Sequence, residues 1–339
     1  MKNTRAKVLV TGGAGFIGSE LVRQLMSQGF EVTVVDNLVN GKRENIENLS
    51  ASDLRLVIDD IRSPIMRELL KGVEVVFHLA CLGVRHSIHS PLENHEVNAT
   101  ATLQLLLQAR DSGVRRFVYV SSSEVYGTAR EVPMNEFHPT FPTTVYGSSK
   151  LAGERYTNAL FQTYGFPTVV VRPFNAFGPR CHHEGDSGEV IPKFLLRALA
   201  GKPMVVFGSG NQTRDFTFVT DTAEGILRAG FEPGAVGQTV NLGSGREISV
   251  NELAREVAKT AERPDAKVVH DNPRPGEVMR LYADNARARE LLGFAPKITL
   301  AEGLKKLKEW YLQSKETPEQ LLEQEVLHNW QGAATNDLK

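Results

Sequence analysis

Tyr146 and Lys150 stand four residues apart in a segment, Val145 to Tyr164, whose pattern predicts a helix, so both side chains leave one face. The pairing has a chemical use. A phenol that ordinarily ionises near pH 10 becomes a base at neutral pH only with positive charge beside its oxygen, and each unit of pKa so shifted is worth about 1.4 kcal/mol. The Lys150 ammonium is one such charge. Ser121, Ser122 and Ser123 close an apolar run that begins at Arg116 and reads as a strand, where a hydroxyl would meet a substrate oxygen shared with Tyr146. Either Ser121 or Ser122 can face that oxygen, depending on where the strand ends.

The elements that must position these groups begin at the other end of the chain. Val8, Leu9 and Val10 run into Gly12, Gly15 and Gly18, a strand, tight turn and helix with the spacing Gly-x-x-Gly-x-x-Gly. Gly12 allows the turn, Gly15 lets a diphosphate approach, and Gly18 lets the helix pack closely on the strand. Phe16 and Ile17 open that helix, whose unpaired amides and dipole favour an anion. A second strand, Glu31 to Val35, ends in Asp36, about twenty residues after the glycines, as a dinucleotide site requires. Its carboxylate suits the adenosine ribose hydroxyls and would repel a 2′-phosphate. Asn37 and Leu38 follow it rather than an arginine, so the spacing predicts NAD rather than NADP. A cationic nicotinamide would add the second positive charge beside Tyr146.

Further short β-rich runs at Leu54 to Ile58, Val75 to Leu79, Arg116 to Ser121 and Pro167 to Arg172 alternate with helical segments. That order predicts an α/β fold, a doubly wound parallel Rossmann sheet, with ligands beyond the carboxyl ends of its strands. Asp60 with Ile61, Leu79 with Ala80 and Cys81, the three serines, and Pro173 to Asn175 are therefore the residues to examine. A polar loop spans Gly178 to Gly188. A helix Val190 to Ala200 and a strand Val205 to Phe207 follow. Phe216 to Val219 and Thr239 to Leu242 read as strands around the helix Thr222 to Phe231, returning to the main sheet. Helices Asn251 to Ala261 and Asn285 to Leu292, with strand-like Val268, Val269 and Met279 to Tyr282, complete a smaller C-terminal substrate-binding lobe. The expected division is 1–173 plus 214–245 for the NAD-binding domain, 174–213 plus 246–316 for the second lobe, and 317–339 for a capped C-terminal helix and a frayed tail without chemistry.

The 339 residues are 41% hydrophobic with a formal net charge of -1, and the basic residues are scattered, which excludes an electrostatic footprint for nucleic acid or an anionic membrane. Two cysteines make neither a disulfide framework nor a metal motif, and no metal is expected. The chain shows no signal region and no run of transmembrane length, so a cytoplasmic enzyme is expected. His182 and His183 read as a solvated loop, His78 as a satisfied strand-end residue, and Cys81 as a small core residue.

Taken together, Thr11 to Gly18, Asp60-Ile61-Arg62, His78-Leu79-Ala80, Ser121 to Gly127, Tyr146-Gly147-Ser148-Ser149-Lys150, Arg172 to Asn175, Thr213-Arg214-Asp215 and Arg274-Pro275-Gly276-Glu277 resemble the extended short-chain dehydrogenase/reductases, and within them the NAD-dependent nucleotide-sugar epimerases and dehydratases. The resemblance implies Tyr146 and Lys150 as catalytic residues with Ser121 or Ser122 beside them, and Asn98 among the NAD contacts. It places Arg214 and Arg274 on a diphosphate, Asn175 on the diphosphate or sugar, and Val205 to Phe207 on uracil, with Val190, Ser123 and Glu124 nearby. The acid of a 4,6-dehydratase is missing, because Ser122, Ser123 and Glu124 replace Thr-Asp-Glu. Leu281, smaller than the aromatic of hexose-only relatives, is expected to border the sugar and leave room for a 2-acetamido group. Gly83 and Glu189 depart from the lysine and asparagine of those relatives. The expected function is therefore a UDP-N-acetylglucosamine 4-epimerase that supplies precursors for polysaccharide synthesis. A UDP-glucuronate decarboxylase or 4-epimerase is the runner-up, and a non-catalytic NAD-binding scaffold is a further alternative. A homodimer through the helices Pro91 to Ser112 and Val145 to Tyr164 is also implied.

Overall fold

A computed structural model describes residues 5–49, 52–185 and 187–331. Six strands, β1 (Lys7–Thr11), β2 (Glu31–Asp36), β3 (Leu54–Ile58), β4 (Val75–His78), β5 (Arg116–Val120) and β6 (Thr168–Pro173), alternate with helices. Seven more follow: β7 (Asn175–Phe177), β8 (Met204–Phe207), β9 (Thr213–Arg214), β10 (Phe216–Phe218), β11 (Thr239–Leu242), β12 (Ile248–Ser249) and β13 (Val268–Asp271). The main sheet has the order β11-β6-β5-β4-β1-β2-β3, and all its pairs are parallel. Helices cover both faces, which is why its central strands are continuous apolar runs rather than alternating ones. Val8, Val10 and Val34 pack with Leu21, Ile226 and Val240 on one face. Leu9, Val35 and Phe117 pack with Leu106 and Leu160 on the other.

Thr239–Leu242 returns to the main sheet as an edge strand beside β6, whereas Phe216–Phe218 does not: it pairs with β7 just past the sheet. The second lobe has its own core, in which Ile191, Phe194 and Leu195 of the helix Val190–Leu199 meet Val206, Leu253 and Leu307. Leu307 belongs to a helix, Leu300–Leu312, that the pattern reading does not anticipate. Met279 to Tyr282 forms no strand; only the isolated bridge Thr213–Arg280 lies within it, and the Arg280 side chain pairs with Glu247. The helix expected over Pro91 to Ser112 is interrupted by a wide turn at Glu96–Ala101 between Pro91–His95 and Thr102–Asp111. The helix Val145–Tyr164 and the capped helix Pro318–Leu322 form as the sequence predicts.

Candidate active site

Beyond the carboxyl ends of the strands, between the sheet and the second lobe, runs a cleft of 760 Å³. At its N-terminal end Gly12 adopts φ +71°, and a Cβ there would sit 2.7 Å from the Ala80 nitrogen. A Cβ on Gly18 would lie 2.1 Å from the Gly12 oxygen, so neither position tolerates a side chain. Gly15, Phe16 and Ile17 bring the helix N-terminus to the cleft wall. Asp36 Oδ2 accepts from Ala14 N at 2.9 Å and Oδ1 from Leu38 N at 2.9 Å, which fixes the carboxylate against the glycine turn. Burial raises its pKa, and these amide bonds oppose the rise. Asn37 donates to Asp60 at 3.1 Å, and Arg62 clasps the same carboxylate at 2.8 and 2.9 Å, holding its pKa below the ordinary value. Arg62 is thus spent on Asp60 rather than offered to a 2′-phosphate. Ile61, Leu79, Ala80 and Pro173 complete the lining.

Asn98 is the exception among the expected cofactor residues. It is buried behind the wall, where it donates to the Leu82 carbonyl and accepts from the Leu82 amide, both at 2.9 Å. Its work is to hold the loop after β4 rather than to line the cleft. The wide turn at Glu96–Ala101 carries Asn98, and Thr102 just beyond it bonds His78 Nε2 at 2.8 Å while Thr11 bonds Nδ1 at 2.7 Å. His78 is a satisfied strand-end residue, and burial lowers its pKa to about 3.

The helix Val145–Tyr164 starts at Thr144, whose Oγ1 accepts from Gly147 N at 3.1 Å, and this cap aims the first turn into the cleft. Lys150 Nζ donates to the Val120 carbonyl at 2.6 Å and lies 4.6 Å from the centre of the Tyr119 ring. Of the two candidate serines, Ser122 is the one whose hydroxyl lowers the Tyr146 pKa, and its Oγ accepts from Glu124 N at 3.2 Å. Ser121 Oγ is buried with no partner, a donor left for a ligand. Burial raises the Tyr146 pKa strongly, and Cys81, Glu124 and Glu189 push it the same way against the Ser122 hydroxyl. Burial lowers the Lys150 pKa. The Lys150 ammonium donates to the Val120 carbonyl, and the direction of the Tyr146 shift fits the expectation that a second positive charge is needed to favour the phenolate. Cys81 lines the cleft half-buried, not in the core.

At the far end Arg214 and Arg274 converge on one carboxylate. Glu277 accepts from Arg214 at 2.6 Å and from Arg274 at 2.8 and 3.2 Å, which sets the two guanidinium groups side by side in the cleft wall. Its place beside Arg274 in the motif was the only sequence signal for Glu277. Ser123 and Glu124 lie on the wall between this pair and Tyr146; burial raises the Glu124 pKa, while Arg214, Arg274 and Arg85 oppose that. Asn175 Oδ1 is buried without a partner. Arg85 faces the same cleft with no hydrogen bond or ion pair among the described residues, and burial lowers its pKa to about 10. Val190, Val205 and Phe207 also line the cleft.

Leu281 does not border the cleft. It is wholly buried in a cluster with Tyr126, Met134 and Phe174, and Phe174 presents the wall in front of it. His182 and His183 do not read as solvated either: His183 is buried edge-on to Tyr311 at 6.0 Å, and Glu184 takes Lys42 at 2.8 Å and His182 at 3.4 Å. Nor is the tail without a place, since Leu327, Asn329 and Trp330 line the cleft. The remaining tail residues, 332–339, lie outside the described residues.

Comparison with known proteins accords with this geometry. The profile of the GDP-mannose 4,6 dehydratase family matches residues 9–307. The chain belongs to this family, within the extended short-chain dehydrogenase/reductases. A UDP-glucose 4-epimerase of Mycolicibacterium smegmatis is 39% identical over 90% of this chain and 98% of its own. The solved UDP-N-acetylglucosamine 4-epimerase of Methanobrevibacter ruminantium M1, in complex with UDP-N-acetylmuramic acid, has a TM-score of 0.86 at 30% identity, over 91% of this chain and 99% of that one. A mutant of the UDP-glucuronic acid 4-epimerase of Bacillus cereus, solved with NAD, has a TM-score of 0.85 at 29% identity, over 90% and 98%. The protein is an enzyme of the NAD-dependent nucleotide-sugar epimerase family. The glycine cradle, the fixed Asp36 and the unpartnered Ser121 hydroxyl fit NAD, and Gly12, Gly15, Asp36, Asn37, Asp60 and Lys150 are the residues that would hold it.

Proposed function

We propose that this enzyme interconverts UDP-N-acetylglucosamine and UDP-N-acetylgalactosamine by inverting C4, and supplies both for polysaccharide synthesis. The observation that carries the reading is the placement of Tyr146 and Ser122 in one cleft with the Arg214–Arg274 pair, a base at one point and a diphosphate clamp at another. Bound NAD supplies a hydride acceptor and then a hydride donor at C4. Tyr146 takes the proton of the sugar 4-hydroxyl and later returns it, and Ser122 holds the same oxygen in line. Lys150 carries the charge that keeps the phenolate tolerable once the nicotinamide stands beside it. Inversion needs the 4-keto sugar to present its other face, so the grip must fall on the diphosphate rather than on the ring. Two arginines pre-set by Glu277 give that grip.

Leu281 lends the acetamido reading no support, since it lies behind Phe174. Gly83 does: it lines the cleft, and a Cβ built there meets nothing within 4 Å, so the wall is open where hexose-only relatives carry lysine. The test is product analysis by NMR after incubation with UDP-N-acetylglucosamine, UDP-glucose and UDP-glucuronate separately. Conversion of the first, faster than the second, is the expected result, and reaction of UDP-glucuronate alone would overturn the assignment. Arg85 favours that second reading, a uronate substrate, because an unpartnered guanidinium in the cleft suits a sugar carboxylate. The same apolar helices that flank the site are proposed to form a homodimer.

A further inference from the structure

We infer that the C-terminal segment Glu325–Trp330 is a wall of the nucleotide-base subsite, with Trp330 as its aromatic contact. The inference rests on the reading above that a nucleotide occupies the cleft with its base at Phe207. After the helix Pro318–Leu322 the chain doubles back across the second lobe and is tied down at four points. Glu325 forms an ion pair with Arg197 at 2.8 Å, and both side chains are largely buried. Lys193 Nζ donates to the Val326 carbonyl at 2.7 Å. His328 bonds Asp271 at 2.8 Å, and Asn329 donates to the Gly188 carbonyl at 3.0 Å. Gly188 directly precedes Glu189 and the helix Val190–Leu199, and Asp271 ends β13, the partner of β8. The segment therefore joins the strand that carries Phe207 to the loop that leads into the site.

These ties place Trp330 edge-on to Phe207, with ring centres 4.7 Å apart and planes at 88°, and the two rings with Leu327 and Asn329 line the base end of the cleft. Trp330 is only 8% exposed, so its orientation is fixed before any ligand arrives. An aromatic base that enters beside Phe207 meets the indole as a second wall, and stacking or edge contact with two rings is the chemistry that holds any nucleobase without reading its hydrogen-bonding edge. Asn329 adds a polar group beside that slot.

The chain has two tryptophans, Trp310 and Trp330, so the Trp310→Phe enzyme reports on Trp330 alone. Titration of that enzyme with UDP is expected to change Trp330 emission saturably, whereas inorganic pyrophosphate, which lacks a base, leaves it unchanged. Trp330→Ala is expected to weaken UDP binding and raise the KM for the UDP-sugar about tenfold with kcat within about twofold, and Trp330→Phe to restore most of the loss. Pyrophosphate affinity stays the same throughout. UDP binding that leaves both the emission and the Trp330→Ala affinity unchanged would overturn the tail assignment and leave the nucleotide-sugar reading standing. Failure of the unmodified enzyme to bind UDP would overturn both. Should Trp330→Ala not fold, the emission titration decides alone.

Discussion

A phenol buried beside two carboxylates is a poor base until a cation comes near, and Tyr146 is in that position. Tyr146→Phe removes only the proton-carrying oxygen, so the variant is expected to fold, retain NAD and lose about 10³-fold in kcat, within the range for a positioned base. Steady-state kinetics beside the absorbance of bound cofactor checks this. Glu189 makes a second residue-scale prediction. Desolvation raises its pKa from 4.5 to about 7. Between those values the folded chain keeps a proton that the unfolded chain has released, so stability falls as pH rises from 4.5 to 7, and the loss is complete above that. Glu189→Gln is therefore expected to stabilise the NAD-free enzyme at pH 8 by about 1–2 kcal/mol, discounted because the side chain opens onto the cleft, and to leave it unchanged at pH 4. Denaturant unfolding at the two pH values measures the difference. Equal stabilisation at both would show that Glu189 does not titrate in this window.

Among the elements, the helix Val145–Tyr164 carries both Tyr146 and Lys150, and its position is set by a buried contact with β6. Arg172 binds Glu154 in parallel at 2.8 and 2.6 Å and also donates to the Tyr126 hydroxyl at 2.8 Å. Glu154→Ala would strand a buried guanidinium, so a loss of about 3–5 kcal/mol is expected in chemical unfolding, with activity falling as the helix loses its register. The proposed diphosphate clamp is the counterpart in the second lobe: Arg274→Ala should raise the KM for the UDP-sugar tenfold or more while kcat changes by less than about threefold, as initial rates would show. The sequence made the glycine turn, β1, β2 and Tyr146 to Lys150 legible because short-range periodicity and spacing dictate them. Leu281 was misplaced because a position carried over from a family resemblance cannot say that Phe174, from the link between β6 and β7, stands in front of it. The Glu277 contact with Arg214 and the tail contacts with Arg197, Lys193 and Gly188 went unread for a similar reason: they join residues far apart in the chain, to which local pattern is blind. Asn98 was legible as important but not as a clamp on the loop after β4, since the wide turn that aims it leaves no mark in the apolar spacing.

At the scale of the whole molecule, the two helices that carry or brace the catalytic residues also present apolar side chains outward. Leu92 is 70% exposed, Tyr164 60% and Val145 39%, all on the segments Pro91–His95 and Val145–Tyr164, while the inner faces of those segments are occupied by each other and by the sheet. Exposed apolar side chains on two adjacent helices suit a face that a second copy covers, and a two-fold axis across it would set the same residues of both copies against one another. Sedimentation of the intact enzyme is then expected to give a mass near twice 37.4 kDa. Leu92→Asp combined with Val145→Asp would place four like charges in one small interface and shift the mass to that of a single chain. Both positions are exposed in the isolated chain, so the variant should keep its fold, and its unfolding would show whether it does. A single-chain mass for the unmodified enzyme across micromolar concentrations would refute the dimer. A monomeric variant that retained kcat would show instead that the cleft is complete within one chain.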